Sequence, residues 1–588
     1  MPPLSRTIAL MTTDLAASPA SAELRTLADA FWEAYLKAHP TFATIMGDRR
    51  FDDRLEDLSP DARSTEIAHL ETTLDQARAI DAAGLDGRER VTRSMLIEEV
   101  EGQLGALRTR VDEWSLNPIE GPQSWLIDLV DYQPIATVAE GRAMVDRWRA
   151  TGRHLDQAIE GLRRAMARGQ VASIVPIERV IDELRGLVAT PADEWRLASP
   201  AREAHDDWPA AELEAFRTDL RAAVAEVVVP AFTRYLDAIE TEIVPVARPS
   251  DRPGILHVPD GEAAYRALIR THTTLDLEPA EVHEQGLVEI EELDRAFADL
   301  GAKVLGVHGL EATLGALRGD PALRFSTAEE VFATARDTLA RAQAAVPEWF
   351  GRLPVAACEV VPIPSETEAH QTIAYYAWPA LDGSRPGRYY INLSAPETRP
   401  RYEAEALAIH ESVPGHHLQI AIAQELDGLP AFQRALGSSA FAEGWGLYTE
   451  RLADEMGLYT SDLDRFGILS FDAWRACRLV VDTGMHALGW TRDDALDFMR
   501  AHTALGENNI ANEVDRYIAW PGQALAYKIG QREVLRLRAL AESRLGPRFD
   551  IRAFHDTILG SGAVGLATLA GIVEDWLEWE AAAPGASG

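Results

Sequence analysis

Apolar residues recur three and four positions apart along most of the chain, which is the spacing of one face of an α-helix. AELRTLADAFWEAYLKAHP (residues 22–40) and GRAMVDRWRATGRHLDQAIEGLRRAMARG (residues 141–169) show this pattern. Comparable segments run to about residue 245 and return from about residue 400 to 580. Because strand-like alternation is nearly absent, the pattern predicts a mainly helical fold.

One region breaks the helical pattern. Between about residues 359 and 394, the runs HQTIAYYAWP and GRYYINLSA are rich in Tyr, Ile and Thr, and they flank the turn-rich stretch ALDGSRPG. Such runs bounded by Gly, Pro and Asp are typical of strands and turns. We predict a small antiparallel β-sheet here, either an ordinary hairpin or one whose edge pairs with an extended peptide.

A loop in the middle of the chain indicates a subdomain boundary. VPVARPSDRPGILHVPDGE, around residues 244–262, concentrates Pro, Gly and Asp, which interrupt helices. We therefore predict an N-terminal helical subdomain (residues 22–245) and a second helical subdomain (residues 246–582) that contains the sheet.

Charge and cysteine content narrow the range of partners. The 588 residues include 57 Lys and Arg against 93 Asp and Glu, a formal net charge of −36. Nucleic acid and anionic membranes would be repelled by this charge, so we expect neither as a partner. The two cysteines, Cys358 and Cys477, are far apart in sequence and indicate neither a disulfide framework nor a thiolate metal site.

The first residues bear on the cellular location. Their apolar run is only four residues long and is soon followed by Asp14, so it is shorter than the core of a signal peptide. No later window offers the roughly 18 uncharged apolar residues of a membrane span. These features predict a cytoplasmic protein.

The stretch AIHESVPGHHLQ (residues 408–419) contains three histidines and a glutamate. His410-Glu411 begins like a zinc peptidase helix, in which His-Glu-x-x-His places two imidazoles one turn and about 6 Å apart. Here Pro414 occupies the fifth position. In a straight helix, His416 would point about 120° away from His410, and His417 would lie about 10.5 Å further along the axis.

Pro414 removes this difficulty because a helix cannot continue unchanged through it. Its ring clashes with the carbonyl of His410, and Gly415 adds backbone freedom beside the break. If Pro414 and Gly415 are looped out, His410 and His416 recover the usual zinc spacing. His417 is the alternative ligand if the irregular segment rotates it toward the metal, and otherwise it is a candidate for substrate contact.

A third ligand is needed, because catalytic zinc takes three protein ligands and keeps one position for water. The periodic segment FAEGWGLYTE (residues 441–450) carries Glu443 and Glu450 two turns apart on one side of a helix. We predict Glu443 as the ligand, since Gly444 and Gly446 allow a metal or another backbone to approach closely. Glu450 is then a solvated carboxylate or the partner of an arginine.

Glu411 leaves the helix about 100° from His410 and is therefore not expected to bind the metal. Its predicted role is that of a general base, which takes a proton from the attacking water and returns it to the leaving amine. Two imidazoles and one carboxylate suit zinc, so one Zn²⁺ per chain is the expected cofactor. The competing interpretation of the cluster is a polar helix end with unrelated histidines.

Two further motifs carry polar residues that could contact a substrate. In VVDTGMHALGW, Asp482 and His486 are four residues apart, which suits a hydrogen-bonded pair or groups that orient a ligand. In EVDRYIAWPGQALAYKIG, a second Pro-Gly pair breaks a helix. This break brings Arg516, Tyr517, Gln523, Tyr527 and Lys528 near one turn.

The roles predicted for this second group follow from their chemistry. Arg516 could clamp a substrate carboxylate. Tyr517 or Tyr527 could donate a hydrogen bond to a developing oxyanion. Lys528 is one of only three lysines in the chain, which gives weak support for a place in substrate binding.

Taken in order, HESVPGHHLQ, FAEGWGLYTE, VVDTGMHALGW and EVDRYIAWPGQALAYKIG resemble the largely bacterial domain of unknown function 885 family, which is itself similar to the gluzincin metallopeptidases. The resemblance covers about residues 22–580. It implies a mainly helical fold with a deep central cleft, similar to the carboxypeptidase Taq family, and residues 22–245 would form one wall. It also implies a zinc site at His410, His416 and Glu443, with Glu411 as the base.

The resemblance does not imply a substrate or an oligomeric state. Many relatives look like exported lipoproteins, whereas this sequence has no lipobox cysteine near its start. The leading hypothesis is a zinc hydrolase of amide bonds in short peptides, carboxypeptidase-like if Arg516 faces the site. The alternatives are a zinc amidohydrolase of a small non-peptide amide and a non-catalytic helical binding protein whose metal site is structural or lost.

Overall fold

The computed structural model describes residues 18–363, 372–381, 383 and 385–582. The first 17 residues, the first two residues of HQTIAYYAWP and part of ALDGSRPG therefore lie outside the described residues. Helices dominate the described part, as the apolar periodicity predicts.

The first part of the chain is helical throughout. It contains α1 (Pro19–Ala38), α2 (Pro40–Ile45), α3 (Pro60–Ala79), α4 (Gly87–Thr109), α5 (Pro122–Asp128), α6 (Val138–Ala167), α7 (Ile174–Ala189), α8 (Ala210–Ala223) and α9 (Val229–Ala238). Short π-helical segments follow α8 and α9.

The second part holds the sheet between two groups of helices. Before the sheet lie α10 (Gly261–Thr273), α11 (Pro279–Leu300), α12 (Leu310–Gly319) and α13 (Ala328–Ala345). The strands are β1 (Cys358–Pro362), β2 (Ala374–Ala377) and β3 (Gly387–Ile391). After them come α14 (Arg401–Glu411), α15 (His416–Gln424), α16 (Ala431–Ala435), α17 (Ser439–Glu455), α18 (Arg465–Ala487), α19 (Arg492–His502), α20 (Glu507–Ala519), α21 (Ala526–Leu545), α22 (Ile551–Leu559) and α23 (Leu566–Ala582).

Several helices begin at residues that satisfy the free N–H groups of the first turn. At the start of α4, the Asp86 side chain accepts from the Glu89 backbone, and the Glu89 carboxylate accepts from the Asp86 backbone. The same reciprocal arrangement joins Thr137 and Glu140 at the start of α6. These capping boxes explain why both helices begin where the sequence places a short polar residue before a periodic run.

The small sheet differs in one respect from the prediction. Its strand order is β1-β3-β2, with β2 antiparallel to β3 and β1 parallel to β3. The sheet is therefore mixed, and only the β2–β3 pair is antiparallel. The antiparallel pair of β2 and β3 leaves one free edge on each strand, and β1 occupies the free edge of β3.

Helix α18 runs through the interior of the protein, and nearly all its residues from Phe466 to His486 are buried. A helix that is apolar on all sides is normally a core element. This one also buries polar groups, namely Asp472, Arg475, Arg478, Asp482 and His486. Where such groups lie in an apolar interior, they need partners or a function.

The two predicted subdomains are packed against each other. The Thr92 hydroxyl of α4 donates to Gln433 of α16 at 2.7 Å, and Arg179 of α7 pairs with Asp515 of α20 at 2.7 Å. One continuous cluster of buried apolar residues includes members from both sides of the predicted boundary. The division at residue 245 stays a prediction.

No helix in the described ranges is both long enough and apolar enough to span a bilayer.

The crossing of α17 and α21 depends on two glycines. A Cβ at Gly530 would overlap the carbonyl oxygen of Ala440, and one at Gly444 would overlap the backbone of Gly530. Backbones can approach this closely only where no side chain intervenes. The contact fixes α17, which carries Glu443, against α21.

This contact predicts that Gly530→Ala destabilises the protein. The added methyl cannot fit against backbone atoms, so the helices must separate, at a cost of about 2 kcal/mol or more in the free energy of unfolding. Urea denaturation followed by circular dichroism measures the change. Gly315→Ala in α12 is the matched control, because nothing lies within 4 Å of the added Cβ, and the same substitution there should add about 0.5–1 kcal/mol. Equal effects at both positions would contradict this account of the crossing.

Candidate metal centre

The predicted break at Pro414 is present. Helix α14 ends at Glu411, α15 begins at His416, and the Val413–Pro414 peptide bond between them is cis. A Cβ on Gly415 would overlap the carbonyl oxygens of His410 and Ile409. Glycine is therefore required where the chain folds back over the end of α14.

This break brings two histidines together beside a glutamate. The rings of His410 and His416 have centroids 4.6 Å apart and are nearly perpendicular. Their Nε2 atoms lie 3.6 Å and 3.4 Å, respectively, from Oε2 of Glu443 on α17. One donor atom from each of the three residues falls within 4.8 Å of the others. This spacing is compatible with one ion held between them.

Glu450 completes the arrangement from behind His410. Its Oε1 accepts a hydrogen bond from Nδ1 of His410 at 2.8 Å, and the carboxylate is fully buried. The bond sets the tautomer and leaves Nε2 of His410 free to face Glu443. Carboxylates that orient a metal-binding imidazole in this way are typical of zinc sites. Glu450 is thus the partner of a histidine rather than the solvated group or arginine partner expected from the sequence.

His417 has no free nitrogen for a metal. Its Nε2 donates to the carbonyl of Ala356 at 3.1 Å, and its Nδ1 accepts from the hydroxyl of Tyr376 at 2.8 Å. Burial lowers the pKa of His417 to about 4, so the ring is neutral. The geometry selects His416 over His417 beside His410, and it places His417 in the contact between α15 and the sheet instead of at a substrate.

The residues around Glu443 shape the space for the cluster. A Cβ on Gly446 would lie 2.7 Å from Cε1 of His410, so only glycine lets α17 pack against that ring. The indole N–H of Trp445 donates to the carbonyl of Pro414 at 2.9 Å. This bond joins the segment between α14 and α15 to α17, and it thereby holds His410 and His416 close to Glu443.

Opposite charges stabilise the cluster of His410, His416 and Glu443. Burial alone would raise the pKa of Glu443, but the contacts with His410 and His416 hold it well below its usual value. Burial likewise opposes charge on His410, yet the carboxylates of Glu443 and Glu450 raise its pKa to about 9. A bound cation would take the place of the imidazolium proton beside these carboxylates.

Glu411, the predicted base, is the last residue of α14 and is partly exposed. Its negative charge contributes to the raised pKa of His410 and, after burial, to that of Tyr389. It thus adjoins the cluster without being one of the three convergent groups. His416 and Glu443 are also only partly buried, with side chains 13% and 22% exposed, so the cluster is reachable from solvent.

The two predicted oxyanion donors have different positions. The hydroxyl of Tyr517 accepts from Trp474 at 3.0 Å and Arg478 at 2.9 Å, and it donates to Glu513 at 2.7 Å. It is buried and fully occupied. Tyr527 is partly exposed, and, after burial, the charge of Glu443 is the largest contribution to its raised pKa. Tyr527 also lies one turn before Gly530, where α21 packs against α17 at Gly444, the residue after Glu443.

Arg516 and Lys528 are engaged inside the protein. Arg516 donates to both carboxylate oxygens of Glu513 and to Gln523. Lys528 is buried, pairs with Asp472 and Glu289, and donates to Gln531. Both side chains thus lie in buried networks of ion pairs, and the substrate-binding roles predicted for them stay predictions.

Asp482 and His486 also have internal partners. The Asp482 carboxylate accepts from the Tyr265 hydroxyl at 2.5 Å and from the Gly522 backbone at 3.1 Å. His486 accepts from the Ile255 backbone at 3.1 Å and donates to the Tyr517 carbonyl at 2.9 Å. Asp482 and His486 therefore do not form a hydrogen-bonded pair with each other. Each bonds α18 to other parts of the chain, and neither belongs to the metal cluster.

Two residues of the surroundings escaped the sequence analysis. Arg475 and Arg478 lie on α18, and their guanidinium groups stack on Trp474 at 4.3 Å and 4.7 Å and on Tyr527 at 5.7 Å and 4.2 Å. The signal was available: two arginines stand in the otherwise apolar run AWRACRLVV (residues 473–481). Charge inside a buried helix is rare without a partner or a function.

Comparison with known proteins gives the family. A family described as "Bacterial protein of unknown function (DUF885)" matches residues 40–573. The chain belongs to the DUF885 family. No curated protein matches this DUF885 chain.

Two solved structures resemble this DUF885 protein over nearly its whole length. One is described as "putative lipoprotein" from Colwellia psychrerythraea, with 28% identity, a TM-score of 0.89, and coverage of 96% of this chain and 100% of that chain. The other is described as "putative lipoprotein of unknown function" from Shewanella oneidensis, with 16% identity, a TM-score of 0.71, and coverage of 94% and 99%. The second likeness concerns the fold alone.

The buried position of His486 predicts a pH-dependent contribution to stability. Burial lowers its pKa to about 3, whereas a histidine in an unfolded chain has a pKa of about 6.5. As the pH falls below about 6.5, the unfolded chain takes up a proton that the folded protein does not, and stability is lost. Glutamine can make both hydrogen bonds without titrating. Relative to His486→Gln, the wild type should therefore lose about 2 kcal/mol of unfolding free energy between pH 8 and pH 5.

Urea denaturation at several pH values measures this difference. The matched control is His308→Gln, at an exposed histidine, which reports the effect of the same substitution at the surface. A difference between wild type and His486→Gln that does not change with pH would contradict the assignment of a neutral, buried ring.

Proposed function

We propose that this protein is a zinc-dependent hydrolase that cleaves amide bonds in short peptides. The observation that carries the proposal is the convergence of His410, His416 and Glu443 at a break in a helix that begins with His-Glu. The resemblance to gluzincin metallopeptidases, including the carboxypeptidase Taq family, points the same way.

The donor set fits zinc. Two imidazoles and one carboxylate are common ligands of catalytic zinc, and Glu450 orients His410 as a supporting carboxylate would. The ring of His416 and the carboxylate of Glu443 are partly exposed, which leaves room for a water molecule and a substrate. When bound, zinc would supply Lewis acidity, which makes a water acidic enough to attack at neutral pH and polarises a carbonyl.

The chain's own residues would handle the protons and the developing charge. Glu411 would take the proton of the attacking water and pass it to the leaving nitrogen. Tyr527, whose hydroxyl group belongs to a partly exposed side chain beside Glu443, would donate a hydrogen bond to the oxygen on which negative charge builds up. Tyr517 has no free donor for that task, since its hydroxyl already donates to Glu513.

The proposed substrate class rests on the position of the cluster. The ligands lie on buried helices, and only parts of His416, Glu443, Glu411 and Tyr527 are accessible. This limited access favours short peptides over folded proteins. The cytoplasmic location expected from the sequence stays a prediction that cell fractionation would test, since the two similar structures are described as lipoproteins.

The proposal predicts one equivalent of zinc per chain. After purification with zinc and removal of excess metal, elemental analysis should find about one zinc in the wild type and a large loss in His416→Gln, which removes a ligand. His417→Gln is the matched control: the neighbouring residue has both nitrogens engaged elsewhere, and this variant should retain the metal. Loss of zinc in His417→Gln but not in His416→Gln would reverse the ligand assignment.

The proposal also predicts that Glu411→Gln abolishes hydrolysis while zinc is retained. Glutamine cannot accept the proton, and loss of a general base costs about 10²–10⁴-fold in rate. A peptide-library digest read by mass spectrometry, with and without chelator, gives the bond cleaved, the end preferred and the metal dependence. Full activity in zinc-loaded Glu411→Gln would end the assignment of the base, and chelator-insensitive cleavage would end the assignment of the metal.

A further inference from the structure

Two arginines of α18 have hydrogen-bond donors without acceptors in the interior. Nε and Nη1 of Arg475 and Nη1 of Arg478 are buried and have no hydrogen-bond partner among the described residues. Arg475 is 5% exposed and Arg478 is 3% exposed. A buried, unpaired guanidinium is costly, so proteins seldom keep one without a ligand or a partner that satisfies it.

The two guanidinium groups share one small region. Both stack on the rings of Trp474 and Tyr527, and their residues are three positions apart on α18, which places them on neighbouring turns of one face. Tyr527 links this region to the metal cluster. It lies one turn before Gly530, where α21 crosses α17 beside Glu443.

The two arginines have carboxylates near them but not enough hydrogen-bond acceptors. Glu513 accepts from Arg478 at 2.9 Å, from Arg516 at 2.9 Å and from Tyr517 at 2.7 Å, so one carboxylate serves two guanidinium groups. The charge of Arg475 opposes the rise in pKa that burial causes at Glu403 and Glu450, yet Nε and Nη1 of Arg475 have no acceptor among the described residues. A carboxylate from outside would satisfy the free donors.

We propose that Arg475 and Arg478 form the binding site for the α-carboxylate of a peptide substrate, next to Tyr527 and the metal centre. This inference rests on the proposed function, and it makes the enzyme a carboxypeptidase that acts near the C-terminal end of its substrate. The planar fork of arginine matches the two oxygens of a carboxylate. Arg516, the arginine chosen from the sequence, is the weaker candidate, because each of its three side-chain nitrogens already bonds Glu513 or Gln523.

Tyr527 is the accessible member of this group: it is partly exposed, whereas Arg475, Arg478 and Trp474 are buried. The proposal therefore requires the carboxylate to enter beside the Tyr527 ring in order to reach the free donors of the two arginines.

Binding of small probes to the metal-free protein tests the proposal without turnover. After dialysis against a chelator, isothermal titration calorimetry compares N-acetyl-leucine with N-acetyl-leucinamide, which lacks the carboxylate. The acid should bind at least about tenfold more tightly, as expected for hydrogen bonds between charged groups. N-acetyl-aspartic acid α-amide carries its carboxylate on the side chain. Tighter binding of this third probe than of N-acetyl-leucine would overturn the assignment to a C-terminal carboxylate.

Variants separate the arginine site from other anion sites. Arg475→Gln should weaken N-acetyl-leucine binding at least about tenfold, and Arg475→Lys should weaken it less, because lysine keeps the charge but loses the fork. Arg465→Gln is the matched control on the same helix, since Arg465 is partly exposed and pairs with Asp454, and it should change the affinity less than twofold. Equal affinity of the wild type and Arg475→Gln would overturn the proposal.

The melting temperatures of the variants test whether Arg475 has a purely structural role. Arg478 donates to Tyr517 and Glu513, whereas Nε and Nη1 of Arg475 have no acceptor among the described residues. Arg475→Gln should therefore lower the melting temperature less than Arg478→Gln does. A larger loss for Arg475→Gln would indicate that its charge stabilises the fold and would count against a ligand site. If the zinc-loaded protein binds the probe but hydrolyses no peptide, the proposed function is wrong and the carboxylate site stands. If hydrolysis is unchanged in Arg475→Gln, the carboxylate site is wrong and the proposed function stands.

Discussion

The close packing of the His410 ring against α17 is the contact on which the candidate centre depends. Gly446 leaves the space for the ring, Glu450 on the same helix bonds its Nδ1, and Glu443 faces its Nε2. One helix therefore supplies the space, the orienting group and a convergent carboxylate. Because α17 is itself held against α21 at Gly444 and Gly530, the position of the cluster is set by backbone contacts rather than by flexible side chains.

The helix break serves the same arrangement from the opposite side. A straight helix would carry His416 away from His410, and the chain instead folds back at Gly415 so that both rings meet. Trp445 bonds the carbonyl of Pro414 and fastens this segment to α17. His417 is directed to the sheet by two hydrogen bonds, so adjacent histidines take on different tasks. The irregular backbone is thus supported at each end by bonds that the local sequence does not reveal.

The buried polar residues of α18 fall into two groups, those with hydrogen-bond or ion-pair partners and those with unpaired donors. Asp472, Asp482 and His486 are satisfied by partners from other helices and loops and anchor the helix. Arg475 retains free donors beside Tyr527. Partnered polar groups in a core give specificity of packing, whereas unpartnered ones point to a ligand. This contrast between neighbours on one helix is what gives Arg475 its place in the proposed carboxylate site.

The sequence by itself determined the helical class, the hairpin of β2 and β3 and the break at Pro414, and it offered His416 and His417 as alternative partners of His410. These follow from local rules: apolar periodicity, proline geometry and the spacing of residues along a helix. Only the tertiary structure decided that His416 meets His410 and Glu443, that β1 is parallel, that Glu450 bonds His410, and that Arg516 is already paired while Arg475 is not. Those outcomes depend on contacts between residues far apart in sequence, and a single sequence does not show which distant residues meet in the interior.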